Sequence, residues 1–295
     1  MTLRRNRIRR RDTPVAWLLV APALLGFGVF FAYPALRGVY LSFTEFHVLT
    51  PPKWIGLDNF RQLWQDDVFW NALGITVQFV VLSVLLGVFL SVLTAVMLHR
   101  LTQSVLIRGV IILPFLISGV VAALVWQLML DPQLGIVNVW LRELFGQPVF
   151  FFNEGWAIPT LAVINVWKWM GYYAVLVFAG LQAIPATVYE AGRVDGASEL
   201  KMFRHLTLPL LRPVLAMVVI LNIISAFQIF DIVQVTTKGG PANASNVLNM
   251  YIYNKAFSQF DFGYAATMSL TLFAMLIVVT FIQLRLARAN ESDLD

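Results

Sequence analysis

IPATVYEAGRVDGASELKMFRHLTLPLLRP, residues 184–213, stands as a charged island between two long apolar runs. Pro185 suits a first helical position, Glu190 sits on the helix it opens, and Gly196 can adopt the positive φ that ends one. Ser198 is an apt N-cap for a second short helix, Glu199 in its first turn complements the helix dipole, and Pro209 stops the segment before the next apolar run. The small residues Ala191, Gly192, Gly196 and Ala197 leave room for another backbone to approach. The pattern is that of a docking knob; a charged loop that merely fixes membrane orientation is the plainer alternative.

The runs on either side, about 157 to 180 and 213 to 235, are joined by four more at about 17 to 43, 72 to 98, 107 to 130 and 263 to 286. Each is long enough to cross a bilayer, which takes about 20 apolar residues, and backbone in hydrocarbon must satisfy itself as helix. Composition agrees: 59% of the 295 residues are hydrophobic and 13% charged, where a soluble domain has about 25% charged. Forty aromatic side chains exclude a disordered chain, and the absence of cysteine excludes a disulfide scaffold. The expectation is an all-α membrane protein of six transmembrane helices forming one domain over residues 1–295.

Charge sets its orientation. Arg4, Arg5, Arg7, Arg9, Arg10 and Arg11 crowd the start. Such a run could be a nucleic-acid tail or a signal-peptide n-region, but the long uninterrupted apolar stretch behind it favours cytoplasmic retention of an uncleaved span. Placing the N-terminus inside puts fourteen basic residues on the inner side, in the 1–16 tail, the inner loops and the C-terminal end with Arg285 and Arg288, against five outside. The positive-inside rule therefore selects an N-in, C-in topology. Between the first two spans, Trp54, Phe60, Trp64, Phe69 and Trp70 are spaced to give a short interfacial helix an aromatic face.

Several classes of chemistry lack their residues. His47, His99 and His205 lie outside or at the edges of the runs, and neither HExxH nor GxSxG occurs. No Gly-Lys-Ser or Gly-Lys-Thr triplet is present, so if ATP drives this protein another chain must bind it.

Residues 184–213 resemble the EAA loop of ABC importer permeases, whose pattern is EAA, three residues, G, nine residues, I-x-L-P. Glu190, Ala191, Gly196, Leu208 and Pro209 stand in register, with Gly192 replacing the second Ala and Leu206 the Ile. VDGA at Val194–Ala197 is similar to the sugar-importing branch, the maltose-type and glycerol-3-phosphate-type permeases. IGLDNFRQLWQDDVFWNAL (55–73), ILPFLISGVVAALVWQLML (112–130), VWKWMGYYAVLVFAGLQAIP (166–185) and AFQIFDIVQVTTKGGP (226–241) extend the likeness in order along the chain. The resemblance implies a type I importer permease in a bacterial cytoplasmic membrane, paired with a second homologous permease. It further implies two ATP-binding-cassette ATPases that hold ATP and magnesium, an extracytoplasmic solute-binding protein, and no cofactor or nucleic acid on this chain. Glu190, Ala191, Gly192, Asp195, Gly196, Ala197, Leu208 and Pro209 would then couple it to an ATPase cleft, with Glu190 facing a basic residue there.

Polar groups inside spans are expensive and mark a pathway by default. Asn222, Ser225, Gln228 and Asp231 recur every three residues in the fifth span, a stripe that turns by about 60° per step on a straight helix. In the fourth, Asn165, Trp167, Lys168 and Trp169 mix hydrogen-bonding groups with aromatic faces, the combination that binds sugar hydroxyls and ring C–H faces. Trp126 and Gln127 would contribute from the third. Interhelical hydrogen bonding explains Asn222 and Ser225 equally well, interfacial anchoring explains the Trp residues, and Asp231 could pair with Lys168 or Arg37.

Overall fold

The computed structural model describes residues 12–101 and 104–288. The helices are α1 (Asp12–Phe27), α2 (Tyr33–Leu41), α3 (Asp58–Trp64), α4 (Asp67–Leu101), α5 (Val105–Leu116), α6 (Gly119–Met129), α7 (Ile136–Phe145) and α8 (Ala157–Gln182). Then follow α9 (Ala186–Val194), α10 (Glu199–Met202), α11 (Leu208–Leu210), α12 (Arg212–Phe227), α13 (Asp231–Thr236), α14 (Leu248–Tyr253) and α15 (Phe262–Arg288). Single π-turns interrupt the helical path at Gly28–Ala32, Phe203–Thr207 and Asn254–Ser258. The basic run at residues 4–11 and most of the 287–295 tail lie outside the described residues.

Among the described residues, five stretches are long and apolar enough to cross a membrane: Ala16–Leu41, Asp67–Leu101, Ala157–Gln182, Arg212–Thr236 and Phe262–Leu286. The sixth expected span is not one straight helix. α5 and α6 meet at 94° across Ile117 and Ser118. Pro114 lacks the N–H that would close the preceding turn, and Ser118 in extended conformation caps α6 by accepting the Val121 N–H at 3.3 Å. The fifth span is also interrupted, at Gln228–Phe230, so its polar residues do not wind along one helix.

The chain divides into two compact units, residues 1–65 with 255–271, and residues 66–254 with 272–295. In the first, a small hairpin, β1 (Thr44–Glu45) and β2 (Lys53–Trp54), interrupts the otherwise helical chain. Asn59 ties its base by donating to the carbonyls of Ser42 (3.1 Å) and Thr44 (2.9 Å), and Thr267 donates to Ser42 at 2.9 Å. The expected aromatic face does not form as one surface: Trp54 and Trp64 are exposed, whereas Phe69 is fully buried on α4.

The second unit is built on the packing of α4 along α8, with α12 beside them. Ser83, Gly87, Ser91 and Ala95 recur every four residues on α4, a small-residue stripe that lets helices approach closely where lipid supplies no hydrophobic drive. Ser91 donates to the Met170 carbonyl at 3.2 Å across this seam. Below it, Leu98, Tyr173, Val177, Phe178, Leu181, Leu211 and Val218 close a core next to the 184–213 loop.

Candidate functional site

The loop is a pair of short helices. Pro185 is in extended conformation and serves as the N-cap of α9, one position earlier than expected. At the other end Gly196 (φ 71°) donates to the Arg193 carbonyl at 3.0 Å, and Ala197 donates to Gly192 at 2.9 Å. That pair of bonds is a Schellman closure, which needs the left-handed residue glycine supplies. Ser198 then caps α10, accepting from the Lys201 N–H at 3.4 Å. Pro209 does not stop the segment: it lies in α11, which follows the 203–207 π-turn without a gap, and only Leu211 separates α11 from α12.

Gly192 is where the two helices touch. A Cβ there would stand 3.0 Å from Leu206 Cδ1 and 3.3 Å from the Met202 sulfur, so its departure from the EAA pattern seats α9 closer. Tyr189 and Thr207 share a hydrogen bond at 3.2 Å, and Arg100 at the end of α4 pairs with Glu199 at 2.8 Å. Glu190 is exposed and lines a cavity of about 340 Å³ with His99, Arg100, Arg193, Glu199 and Tyr189. Val194 and Leu200 are 88% and 76% exposed, an uncovered apolar tip on an otherwise polar knob. Neither was expected at a contact surface, although two large aliphatics in so charged a stretch were a visible signal.

The pathway residues fall into four groups. Asn165 and Asn222 are buried with Ser83, Gly87 and Tyr173 between α4, α8 and α12, in a gap too small for a water molecule. The Ser83 hydroxyl has no hydrogen-bond partner there. Trp126 and Trp167 meet edge to face at 5.5 Å. Trp126 also lines an apolar pocket of about 160 Å³ with Phe151, Trp156 and Val163, its buried indole N–H unpaired. Ser225 is half-buried on α12, and Gln228 is exposed at its C-cap.

Lys168 and Asp231 stand at the bend between α5 and α6. Buried Lys168 donates to the Phe115 carbonyl at 3.4 Å and lies 5.0 Å above the Trp169 ring. Asp231 opens α13 and presents its carboxylate to Gly119, the first residue of α6. Arg37, the other expected partner, belongs to the first compact unit.

Residues 84–292, which hold the loop and every pathway residue, match the model of the family described as binding-protein-dependent transport system inner membrane component. The chain belongs to this family. The lactose transport system permease protein LacF of Rhizobium radiobacter is 36% identical over 98% of this chain and 99% of its own length. The sulfoquinovosyl glycerol transport system permease protein SmoG of Agrobacterium fabrum is 32% identical over 95% and 92%. A chain of a bacterial ABC transporter involved in the import of the acidic polysaccharide alginate shares the fold, with a TM-score of 0.83 and 24% identity over 95% of this chain and 96% of that one.

Proposed function

We propose that this chain is one of two permease subunits of an ATP-driven importer for a sugar or sugar-like solute, such as an oligosaccharide, a polyol or a glycerol phosphate. The observation that carries the coupling role is the loop: a Schellman-closed helix pair anchored on α4 and α8, with Val194 and Leu200 bare at its tip. A rigid knob with an uncovered apolar end suits insertion into a cleft on another subunit. The solute class is supported by the full-length relatives, whose names specify lactose, sulfoquinovosyl glycerol and, for a protein of Yersinia pestis, sn-glycerol-3-phosphate.

In this reading two ATPase subunits bind ATP and magnesium, an extracytoplasmic protein delivers the solute, and this chain binds neither nucleotide nor metal. Closure of the ATPases moves the segment from Glu190 to Pro209. Because α9 is locked to α10 through Gly192, the push passes to α12 and α8 as a rigid displacement. The interrupted third and fifth spans absorb the change, and the spans rock about a central cavity, exchanging outward for inward access. Trp126, Trp167, Ser225 and Gln228 supply ring faces and hydrogen bonds along the route. Asn165 and Asn222 open to it only when α4 and α12 separate.

The test is to purify the tagged chain from its host's membranes in mild detergent and identify its companions by mass spectrometry. A P-loop ATPase and a second six-span chain are expected, and the complex in proteoliposomes should import solute only with ATP. Recovery of the chain alone, with uptake that needs no ATPase, would instead make it a self-sufficient carrier.

A further inference from the structure

We propose that Lys168 and Asp231 are positioning residues that clamp the broken third span by complementing its two helix ends, one charge at each side of the bend. α5 ends at Leu116, and the carbonyl of Phe115 is among the last four that no intrahelical N–H can reach. These carbonyls form the negative end of the α5 dipole, and the Lys168 ammonium donates to one of them at 3.4 Å. α6 begins at Gly119, and the first-turn N–H groups, of which the Ser118 side chain takes that of Val121, form the positive end of a second dipole. The Asp231 carboxylate faces that end, its Oδ2 2.8 Å from the position a Cβ on Gly119 would occupy.

The two charges arrive from different elements. Lys168 is buried on α8, where an ammonium in an apolar span needs compensation. It receives that from the carbonyl, from the Trp169 and Phe115 rings at 5.0 and 5.8 Å, and from the field of Asp231. Asp231 reaches its place because the fifth span breaks at Gln228–Phe230 and restarts with this residue, so that α13 packs on α6. One interruption thus holds the other, and the glycine at 119 leaves room for the carboxylate. Assigning the clamp to transport rests on the importer reading above, whereas the clamp itself does not depend on it.

A simple ion pair and this clamp part company on charge reversal. Exchanging the charges restores an ion pair, but it sets a carboxylate against carbonyls and an ammonium against N–H groups. The chain has no cysteine, so Leu106→Cys on α5 and Leu128→Cys on α6, both exposed, can carry spin labels. Pulsed EPR then measures their separation in the complex purified through this chain, in lipid nanodiscs, alongside ATP-dependent solute uptake. Lys168→Met and Asp231→Asn are each expected to move the mean separation by about 5 Å, one helical turn, and to lower uptake per complex. Lys168→Arg should keep the parental distribution, and the exchange Lys168→Asp with Asp231→Lys should disturb it more than either single change. Parental distances in both single variants, or restoration by the exchange, would overturn the clamp. If the parent shows no ATP-dependent uptake while the variants still shift the distances, the importer reading fails and the clamp stands.

Discussion

Gly171 on α8 lies against the carbonyl oxygen of Ile111 on α5, so close that a methyl group at Gly171 would overlap that oxygen. The obstacle is backbone, which cannot swing aside as a side chain can. Gly171→Ala therefore has to push α5 off α8, and overpacking of this kind costs about 1 to 3 kcal/mol. A lower Tm of the detergent-solubilised complex is expected, with Gly171→Leu failing to accumulate. Gly109, with open space where its Cβ would be, is the control: Gly109→Ala should leave Tm unchanged or slightly raised.

Gly87 and Asn222 make a softer contact. A Cβ on Gly87 would stand 2.8 Å from Asn222 Nδ2, the far end of a side chain that can turn. Gly87→Ala should lower stability by about 1 kcal/mol, within the range of small-to-large core changes, and Asn222→Ala in the same chain should recover part of it, as contacting residues do in a double-mutant cycle. Asn222→Ala alone, like Gln228→Ala, should reduce uptake while the complex still assembles. Normal uptake would leave Asn222 as interhelical glue and remove Gln228 from the pathway.

Asp131, between α6 and α7, accepts the N–H groups of Leu134 and Gln133, each at 2.8 Å, and these bonds hold its carboxyl below the usual carboxylate range. A depressed folded pKa stabilises the turn above the unfolded value of 3.8 and is lost as pH falls through the folded one. Rate-corrected amide exchange at Gln133 and Leu134 should stay slow at pH 5 and accelerate only below pH 3.8. Asp131→Ala should show the fast rate at neutral pH.

The six apolar runs were legible because hydrocarbon imposes its own length requirement, and observed ends fall within a few residues of those expected. The bends were not, since single polar residues such as Ser118 and Gln228 inside a long apolar run read as features of one helix and do not mark where it ends. Pro114 and Gly119 did flag the first, but Gln228–Phe230 contains neither residue type. The stripe Ser83, Gly87, Ser91, Ala95 was equally visible at a period of four and was lost to a reading that weighed apolarity alone. The loop fared better, for its helix ends are set locally by Gly196 and Ser198. Asn165 and Asn222 look like pathway residues by type, and only the packing of α4 shows them enclosed in this conformation.

Gly196 separates conformation from docking in that loop. A Cβ there meets nothing within 4 Å, so within this chain a side chain costs only the left-handed backbone, about 1 kcal/mol for alanine. Asparagine tolerates that backbone better, so Gly196→Asn should keep the Schellman closure with less loss than Gly196→Ala. If the knob enters a cleft, Gly196→Arg and Val194→Asp should both impair recovery of the ATPase or uncouple ATP hydrolysis from solute, although neither clashes inside this chain. Solute-stimulated hydrolysis at the parental rate in both variants would mean that the tip is not seated against the ATPase, and the coupling role would have to move elsewhere on the inner surface.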